Sequence, residues 1–428
     1  MTQDRERRLA AIGIGIGLGL AVALRVALLP SQGLRADTDQ FASWIHALAT
    51  GLPLGEAYRL DLTFPPVMVY VFWALAHVVP AFATSPDAGD TVARMAIKVP
   101  ASLADIGLAA GVVYLLRDRP RWAMVAALMI AFVPVTWYVS AWWGQFESIY
   151  VLLGLAAAIL VLADRPFAAA IALGLALMTK PQALPFLVPF AAYAIGRYGW
   201  RRSILLGTVT ALTVAATWLP FVADNGPARY VGNLDQYQNG IFAVLSIRAW
   251  NLWWIVQELL GGGNFLADNG NLIGPMTPRL LGYAMAGLAE LAVFLIVLRQ
   301  PTRDGLLLGL GASVLVAFSL LTTMHERYSY GAVVFLLPVA LVATRRNQAA
   351  WLALAFAVTA NLVAAIPPSG PPGSVIPLGG PVGIAGSGVL LGLTALTLLG
   401  LSRRGRAGGE GGPGRQPGTS EGSAAATS

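Results

Sequence analysis

The chain has 428 residues, of which 57% are hydrophobic and only 11% charged, and it contains no cysteine. A soluble globular domain is about 25% charged, so this composition indicates a membrane protein, and the lack of cysteine excludes disulfides, thiol catalysis and cysteine metal sites. The formal net charge of +7 fits basic cytoplasmic loops, and we predict no nucleic-acid partner.

The first apolar run extends from Leu9 to Pro30 and is long enough to cross a bilayer as a helix. A basic N-terminus precedes it, as in a signal peptide, but the run is long and no Ala-x-Ala cleavage site is evident at its end. We therefore predict an uncleaved membrane anchor. Asp37 and Asp39 follow shortly afterwards, and carboxylates so close to hydrocarbon are costly and usually functional.

Basic clusters separate the apolar runs, and the positive-inside rule places these clusters together in the cytoplasm. The segment Phe64–Val79 is apolar and begins with two prolines. If it spanned the membrane, the clusters around Arg5 and Arg117 would lie on opposite sides. We therefore predict a re-entrant or interface-lying helix there, with both termini cytoplasmic. The clusters are Arg5, Arg7 and Arg8; Arg117, Arg119 and Arg121; Arg165; Arg197, Arg201 and Arg202; Arg299 and Arg303; Arg345 and Arg346; and Arg403, Arg404, Arg406 and Arg415.

The apolar runs predict an all-α, polytopic bundle of about twelve spans, without an internal repeat. The spans lie near 9–30, 95–117, 121–139, 147–163, 166–180, 182–197, 203–221, 279–298, 303–321, 329–344, 348–366 and 383–401. The outer loops are then 31–94, 140–147, 222–278, 322–328 and 367–382. The membrane domain is predicted to cover residues 1–402, and the Gly/Ser/Pro/Arg-rich tail 403–428 to be disordered and cytoplasmic.

The predicted outer loops are dense in reactive and aromatic side chains. The two lysines of the chain also fall near the outer ends of spans, against the positive-inside trend. Together these groups suit a lipid-linked anionic substrate, because aromatic rings stack on sugars, cations pair with phosphate and a carboxylate can deprotonate a hydroxyl. The candidates are Asp37, Asp39, Arg59, Lys98, Trp142, Trp143, Gln145, Glu147, Lys180, Arg248, Trp250, Asn251, His325, Glu326, Arg327 and Tyr328.

Each of these features also has a structural alternative. One aspartate of the first loop could cap a helix that begins near Gln40, and the tryptophans could form an interfacial belt. The lysines could extend to the lipid headgroups, and residues 324–328 could be an ordinary polar loop. Asp105 and Glu290, each within an apolar run, could be buried structural partners.

Several short sequence blocks follow one another between residues 10 and 345 in a characteristic order. They are Asp37-x-x-x-Phe41-x-x-Trp44, Gly55-Glu-Ala-Tyr58, Asp61-Leu-Thr-Phe64-Pro65-Pro66, Arg94-Met-Ala-Ile-Lys98-Val-Pro100 with Asp105, Ser140-Ala-Trp-Trp143-Gly144-Gln145-Phe-Glu147-Ser148, Lys180-Pro181-Gln182, Ala249-Trp-Asn251-Leu-Trp253 and Met324-His-Glu-Arg-Tyr328. In order and spacing they resemble the GT-C superfamily of integral-membrane glycosyltransferases, and the last block resembles its bacterial members. Two positions depart from the family pattern, because Glu147 stands where the family usually has Asp and Phe64 where it has Tyr.

The resemblance implies an inverting transfer of a hexose, with mannose favoured, from a polyprenyl-phosphate donor to a hydroxyl of an envelope glycan, lipid or protein. The reaction would take place at the outer face of the cell membrane. Asp37 matches the catalytic base, with Asp39 as the alternative and Glu147 nearby. We expect Lys98, Lys180, His325 and Arg327 to bind the donor phosphate. The expected substrate contacts are Arg59, Trp142, Trp143, Gln145, Gln182, Arg248, Trp250, Asn251, Glu326 and Tyr328.

Other interpretations stay open at this level. A divalent cation, Mg²⁺ or Mn²⁺, could lie between Asp37, Asp39 and Glu147, since all three supply oxygen ligands. A transporter or flippase would have charges distributed through its spans and an inverted repeat, and a scaffold would need no convergence of reactive groups. A single catalytic site requires Asp37 to lie within about 15 Å of Glu147 or Arg327.

Overall fold

A computed structural model describes residues 3–272, 274–368 and 374–409. Within them the chain is almost entirely helical, and its only strands are two short ones that pair in parallel, β1 (Ser246–Ile247) and β2 (Met324–His325). Short 3₁₀ segments cover Leu54–Arg59, Pro181–Phe186 and Leu219–Phe221, and π-helical segments cover Tyr138–Trp143 and Gln236–Ile241.

The α-helices are α1 (Gln3–Leu28), α2 (Arg35–Ala49), α3 (Pro66–Val78), α4 (Ala81–Thr84), α5 (Thr91–Leu115), α6 (Pro120–Phe132), α7 (Pro134–Trp137), α8 (Glu147–Leu162), α9 (Pro166–Leu177), α10 (Leu187–Tyr198), α11 (Trp200–Trp218), α12 (Gly226–Asp235), α13 (Leu252–Gly261), α14 (Pro278–Arg299), α15 (Arg303–Leu320), α16 (Tyr330–Val342), α17 (Arg345–Ala365) and α18 (Gly380–Gly409).

Seven helices of the described residues are long and apolar enough to cross a membrane by themselves: α1, α5, α11, α14, α15, α17 and α18. An eighth candidate span consists of α6 followed by α7 and the adjoining π-helical segment, with a bend of 42° between the two parts. The chain is therefore an all-α bundle of a multi-pass membrane protein, as its composition predicts.

The other predicted spans coincide with shorter helices. The helices α8, α9, α10 and α16 have 16, 12, 12 and 13 residues, fewer than the about 20 that usually span a bilayer. The predicted re-entrant segment contains α3, with 13 residues. Its start meets the end of α9, because the Val67 N–H donates to the Met178 carbonyl at 2.8 Å. The predicted tail 403–428 lies mostly outside the described residues, and its first part continues α18 to Gly409.

Two hydrophobic cores stabilise the structure. The larger lies between the bundle helices. The smaller belongs to the segment after α1 and is built on aromatic rings of Phe41, Trp44, Phe64, Phe72 and Phe146. Phe41 contacts the other four rings at centroid distances of 5.0 to 6.1 Å, within the range in which aromatic pairs attract each other beyond their area burial. This second core attaches α2 to the bundle.

Candidate functional site

Asp37 lies in the first turns of α2, on the same face as Phe41 and Trp44, because positions i, i+4 and i+7 share one face of a helix. Both aromatic side chains are buried in the smaller core, so α2 is held with Asp37 towards the bundle. The alternative that an aspartate caps a helix beginning near Gln40 is wrong. The helix begins at Arg35, which places both aspartates inside it, and its N-cap residue makes no side-chain cap.

Asp39 lies on a different face of α2 and has different partners. Arg35 pairs with it at 2.8 Å, and the backbone N–H of Ala88 donates to it at 2.9 Å. Its side chain is 36% exposed. The two aspartates therefore lie on different faces of α2. Their charge environments also differ, because Arg35 neutralises the charge of Asp39.

Two neutral donors hold the carboxylate of Asp37. Trp143 donates from Nε1 to Asp37 Oδ2 at 3.1 Å, and Gln145 donates from Nε2 to the same oxygen. No cationic side chain of the described residues forms a salt bridge with Asp37. A carboxylate with this environment is oriented by hydrogen bonds and remains available to accept a proton from a substrate.

A turn after the π-helical segment Tyr138–Trp143 directs Gln145 towards Asp37. The segment ends at Gly144, whose φ is +104°. A Cβ at this glycine would approach the side chains of Lys98 and Thr38 at 3.2 Å each. Glycine is the residue that adopts such a backbone conformation at low cost, so the sequence Trp-Trp-Gly-Gln sets the direction of the amide.

Lys180 and Arg327 meet at the carboxylate of Glu147. The Lys180 ammonium donates to Glu147 Oε1, and Arg327 donates from Nε to the same oxygen at 3.1 Å. Arg327 also donates from Nη1 to Glu326 at 2.8 Å. Lys180 further donates to Gln145 Oε1 at 3.4 Å. Gln145 therefore bridges Lys180 and Asp37, and the distance criterion for a single site is met.

Arg327 retains hydrogen-bonding capacity for a ligand. Its Nε and Nη1 have carboxylate partners, whereas no described residue accepts a hydrogen bond from its Nη2. Its guanidinium stacks over the ring of Trp143 at 4.9 Å. Burial acts to lower the pKa of Arg327, but the charges of Glu326 and Glu147 outweigh it and raise the pKa above its ordinary value. The side chain is thus a fixed cation with two N–H groups unused.

His325 is a neutral ring with one defined tautomer. Its Nδ1 lies 3.2 Å from Arg327 Nη1, and a guanidinium has no acceptor, so Nδ1 accepts and Nε2 carries the proton. Burial, followed by the charges of Arg327, Lys180 and Arg248, lowers the pKa of His325 well below its ordinary value. His325 therefore offers an N–H donor rather than a proton for transfer.

Unusual backbone conformations occur next to both strands. Thr323, immediately before β2, has φ +57°, and Arg248, immediately after β1, has φ +64°. The left-handed region is costly for a β-branched residue. Pairing of β1 with β2 and a hydrogen bond of 3.1 Å from the Thr323 N–H to the Leu245 carbonyl hold this geometry. Residues held in rare backbone conformations cluster at functional sites.

These groups surround a cavity of about 670 Å³. Its polar end is formed by α2, the turn at Gln145, the segment after α9 and the residues around β2. An apolar arm extends between α10, α14 and α15, and it opens at Leu184, which is 57% exposed. The arm is lined by Leu184, Pro185, Val188, Ala286, Gly287, Val314, Ala317, Phe318 and Leu321, with the carboxyl side chain of Glu290 among them.

Part of the predicted set of site residues converges here. The residues that line the cavity are Asp37, Gln145, Lys180, Gln182, His325, Arg327 and Tyr328. Behind them lie Trp143, Glu147 and Glu326, which contact the lining residues directly. The residues that do not line it are Asp39, Arg59, Lys98, Trp142, Arg248, Trp250 and Asn251.

Lys98 and Arg59 are directed to other partners. The ammonium of Lys98 is buried and uses its three donors on protein oxygens, at 2.7 and 2.9 Å to Ser31 and at 2.7 Å to the Trp142 carbonyl. No N–H of Lys98 is left for a phosphate. Arg59 lies at the surface, where it pairs with Asp224 at 2.7 Å.

Four further residues of the predicted set have structural positions. Trp142 stacks on Tyr138, with ring centroids 4.4 Å apart. Trp250 donates from Nε1 to the Leu378 carbonyl at 2.8 Å. Asn251 caps α13, because its Oδ1 accepts a hydrogen bond from the Trp254 N–H at 3.0 Å. Arg248 donates from Nη1 to the Ala365 carbonyl, at the end of α17, at 3.2 Å.

Polar cavity residues outside the predicted site set include Gln40, Tyr237 and Glu290. Gln40 donates to the hydroxyl of Tyr237 at 3.0 Å and so joins α2 to the long segment before β1. A sequence signal existed for Gln40, because it stands three positions after Asp37 on the same helix face. Glu290 of α14 accepts from Ser313 at 2.7 Å, and its other oxygen has no partner among the described residues.

The predicted carboxylate triad does not form a group suited to a shared divalent cation. Asp37 binds neutral donors, Asp39 binds Arg35, and Glu147 binds two cationic side chains. Nowhere in the described ranges do three or more His, Asp or Glu side chains form a group that could hold a metal ion.

No model of a known protein family matches the chain, and no curated protein gives a significant match.

Proposed function

We propose that this chain is an inverting, GT-C-like glycosyltransferase that moves a hexose, with mannose favoured, from polyprenyl phosphate to a hydroxyl of an envelope glycan, lipid or protein. One observation carries the proposal. A single cavity contains a carboxylate held only by neutral donors, Asp37, two cations with unused N–H groups, Lys180 and Arg327, and an apolar arm between membrane helices. The proposed reaction requires a proton acceptor, a site that binds an anion and an apolar channel for the lipid.

In the proposed reaction, Asp37 accepts the proton of the acceptor hydroxyl while the hydroxyl oxygen attacks the anomeric carbon. The bond between that carbon and the phosphate oxygen breaks on the opposite face, and its electron pair leaves with the polyprenyl phosphate. The configuration at the anomeric carbon inverts. The leaving group is a stable anion and needs no proton donor. Trp143 and Gln145 orient the carboxylate through their hydrogen bonds to Oδ2.

The charge that develops on the phosphate is stabilised by fixed donors. Arg327 Nη2, the third Lys180 donor and the Nε2–H of His325 lie on the same cavity and have the chemistry for phosphate oxygens. Glu147 fixes both cations from behind instead of touching the sugar. The apolar arm suits the first isoprene units of the donor, because its lining is almost entirely hydrocarbon.

The proposed topology has about twelve spans, with both termini in the cytoplasm and the cavity at the outer face of the cell membrane. Its support is the agreement between basic clusters and helix ends. In this arrangement α8, α9, α10 and α16 are short spans that local thinning of the bilayer or flanking residues can accommodate. The partners are then the bilayer, the lipid-linked donor and an envelope glycan, lipid or protein that accepts the hexose.

The test is transfer of radiolabelled hexose from polyprenyl-phosphate mannose by the purified, reconstituted protein in the presence of a membrane extract. Asp37→Asn keeps the shape of the side chain and removes its basicity, so transfer should fall about 10²- to 10⁴-fold. Asp39→Asn is the matched control and should keep most of the activity. Thermal unfolding of both variants checks that they fold.

Two results would contradict the proposal. Transfer that survives Asp37→Asn but disappears with Asp39→Asn would mean that the base is the other aspartate. A folded wild-type protein that transfers no hexose from any polyprenyl-phosphate donor would overturn the proposed function itself.

A transporter or flippase is the second candidate, and one observation favours it. Glu290 is an acidic side chain within a candidate membrane helix, and it lines the apolar arm. Acidic residues within membrane segments commonly mark ion or substrate pathways. Proteoliposomes distinguish the two functions, because a flippase moves a labelled lipid between leaflets without forming a glycosidic product.

A further inference from the structure

A second buried network lies outside the cavity, and the proposed reaction makes no use of it. Its centre is Asp105 of α5, which is fully buried. Arg25 of α1 donates from Nε to Asp105 Oδ2 at 3.1 Å, and Ser140 donates to the same oxygen. Tyr330 donates from its hydroxyl to the other oxygen, Oδ1, at 2.8 Å. Both carboxylate oxygens are thus occupied by donors from three different segments.

The cationic partner is itself fully engaged. Arg25 is 2% exposed, and it donates to the carbonyls of Ala21 and Ala131 at 3.2 and 3.0 Å and to Thr136 Oγ1 at 3.3 Å. Burying two charges among candidate membrane helices is costly, and an apolar pair of similar volume often stabilises a protein equally well. Stability alone therefore does not account for this pair, whereas a requirement for fixed geometry does.

Two of the three donors to Asp105, Ser140 and Tyr330, belong to segments that supply groups of the candidate site. Ser140 lies within the π-helical segment Tyr138–Trp143, which continues into Gln145; Trp143 and Gln145 are the two donors to Asp37. Tyr330 is the first residue of α16, and its N–H donates to the Arg327 carbonyl at 3.0 Å. One buried carboxylate thus holds both the partners of the base and the segment of the phosphate-binding arginine.

We propose that Asp105 is a positioning residue that sets the separation of Asp37 and Arg327 across the cavity. The inference rests on the proposed function, because it assigns the two positioned groups to one reaction. Arg25 shares Oδ2 with Ser140, while Tyr330 holds Oδ1, so both oxygens of the carboxylate are restrained. π-Helical turns are rare and are frequently found at functional sites, and the turn that carries Ser140 is tied to α5 by its hydrogen bond to Asp105.

The test removes one hydrogen bond of the network without disturbing the ion pair. Tyr330→Phe keeps the buried ring and deletes the hydroxyl. We expect kcat to fall about 10- to 100-fold, as small misplacements of reacting groups do, with KM for donor and acceptor within about twofold of the wild type. Ser140→Ala deletes the bond on the other segment and should give the same division between kcat and KM.

Tyr70→Phe is the matched control, because its hydroxyl also donates at 2.8 Å, to the Thr217 carbonyl, and lies outside the network. It should leave kcat unchanged. An equal loss of kcat in this control, or a rise in KM as large as the loss of kcat in Tyr330→Phe, would overturn the positioning role.

Hydrogen exchange measured by mass spectrometry provides a readout that is independent of activity. Tyr330→Phe should accelerate exchange in both 138–146 and 324–330, because the two segments share Asp105 as their anchor, while Tyr70→Phe should accelerate neither. Acceleration confined to 324–330, or spread over the whole chain, would contradict the shared anchor. A wild-type protein without transferase activity would remove the proposed function, whereas the exchange result tests the anchor separately.

Discussion

At the scale of single residues, His325 shows how one hydrogen bond determines the chemistry of a side chain. Arg327 occupies Nδ1 at 3.2 Å, and burial together with the neighbouring cations lowers the pKa of His325 well below its ordinary value. The unfolded chain, with a pKa of about 6.5, therefore binds a proton more readily than the folded one. The contribution of His325 to stability is complete above pH ~6.5 and is lost as the pH falls towards the folded pKa.

The expected consequence is a loss of stability in acid that depends on this histidine. Between pH ~6.5 and the folded pKa, the free energy of unfolding should fall by up to about 1.4 kcal/mol per pH unit. His325→Gln should reduce this slope, because glutamine does not titrate. Thermal unfolding in detergent at several pH values measures it, with the exposed His77→Gln as control. Identical slopes in both variants would contradict the assignment of a neutral His325.

At the scale of elements, Gly144 determines how the π-helical segment ends. Its φ of +104° and the contacts that a Cβ would make, 3.2 Å to Lys98 and 3.2 Å to Thr38, disfavour any other residue. Gly144→Ala should lower the free energy of unfolding by about 1–3 kcal/mol and displace the amide of Gln145 from Asp37. The rate of hexose transfer should then fall by more than the loss of folded protein explains.

The matched control for this prediction is Gly232→Ala. Gly232 lies in α12, and a Cβ there would meet nothing within 4 Å. Alanine in a helix is favoured over glycine by about 0.5–1 kcal/mol, so this variant should be neutral or slightly more stable. Thermal unfolding and transfer assays on the pair measure the difference. A Gly144→Ala variant with the stability and activity of Gly232→Ala would show that the turn does not orient Gln145.

Sequence patterns predict the elements better than the site. Apolar runs locate the bundle helices, and the spacing of Asp37, Phe41 and Trp44 places the aspartate on a buried helix face. No periodic pattern indicates that Lys98 binds the carbonyl of Trp142 or that Asp105 binds Tyr330, because these contacts join segments far apart in the chain. The sequence therefore predicts which groups are reactive, but only the packing of helices determines which of them share a cavity.

At the scale of the whole molecule, the position of α3 decides the sidedness of everything that follows. If α3 remains on one side, Ala83 lies outside and Asp118, after α5, lies in the cytoplasm. If α3 crosses the membrane, the two positions exchange sides. The basic residues around Asp118 favour the first arrangement, and the hydrogen bond between Val67 and Met178 ties the start of α3 to the end of α9.

The absence of cysteine from the chain makes this arrangement directly testable. Single cysteines at the exposed positions Ala83, Asn264, Asp118 and Arg346 can be labelled with a membrane-impermeant maleimide in intact cells. The first two should react from outside, and the last two only after permeabilisation, because the positive-inside rule keeps the basic loops in the cytoplasm. Labelling of Asp118→Cys in intact cells, with Ala83→Cys protected, would mean that α3 spans the bilayer. That result would place the loops of Gln145, Lys180 and Arg327 in the cytoplasm, and a reaction at the outer face would be excluded.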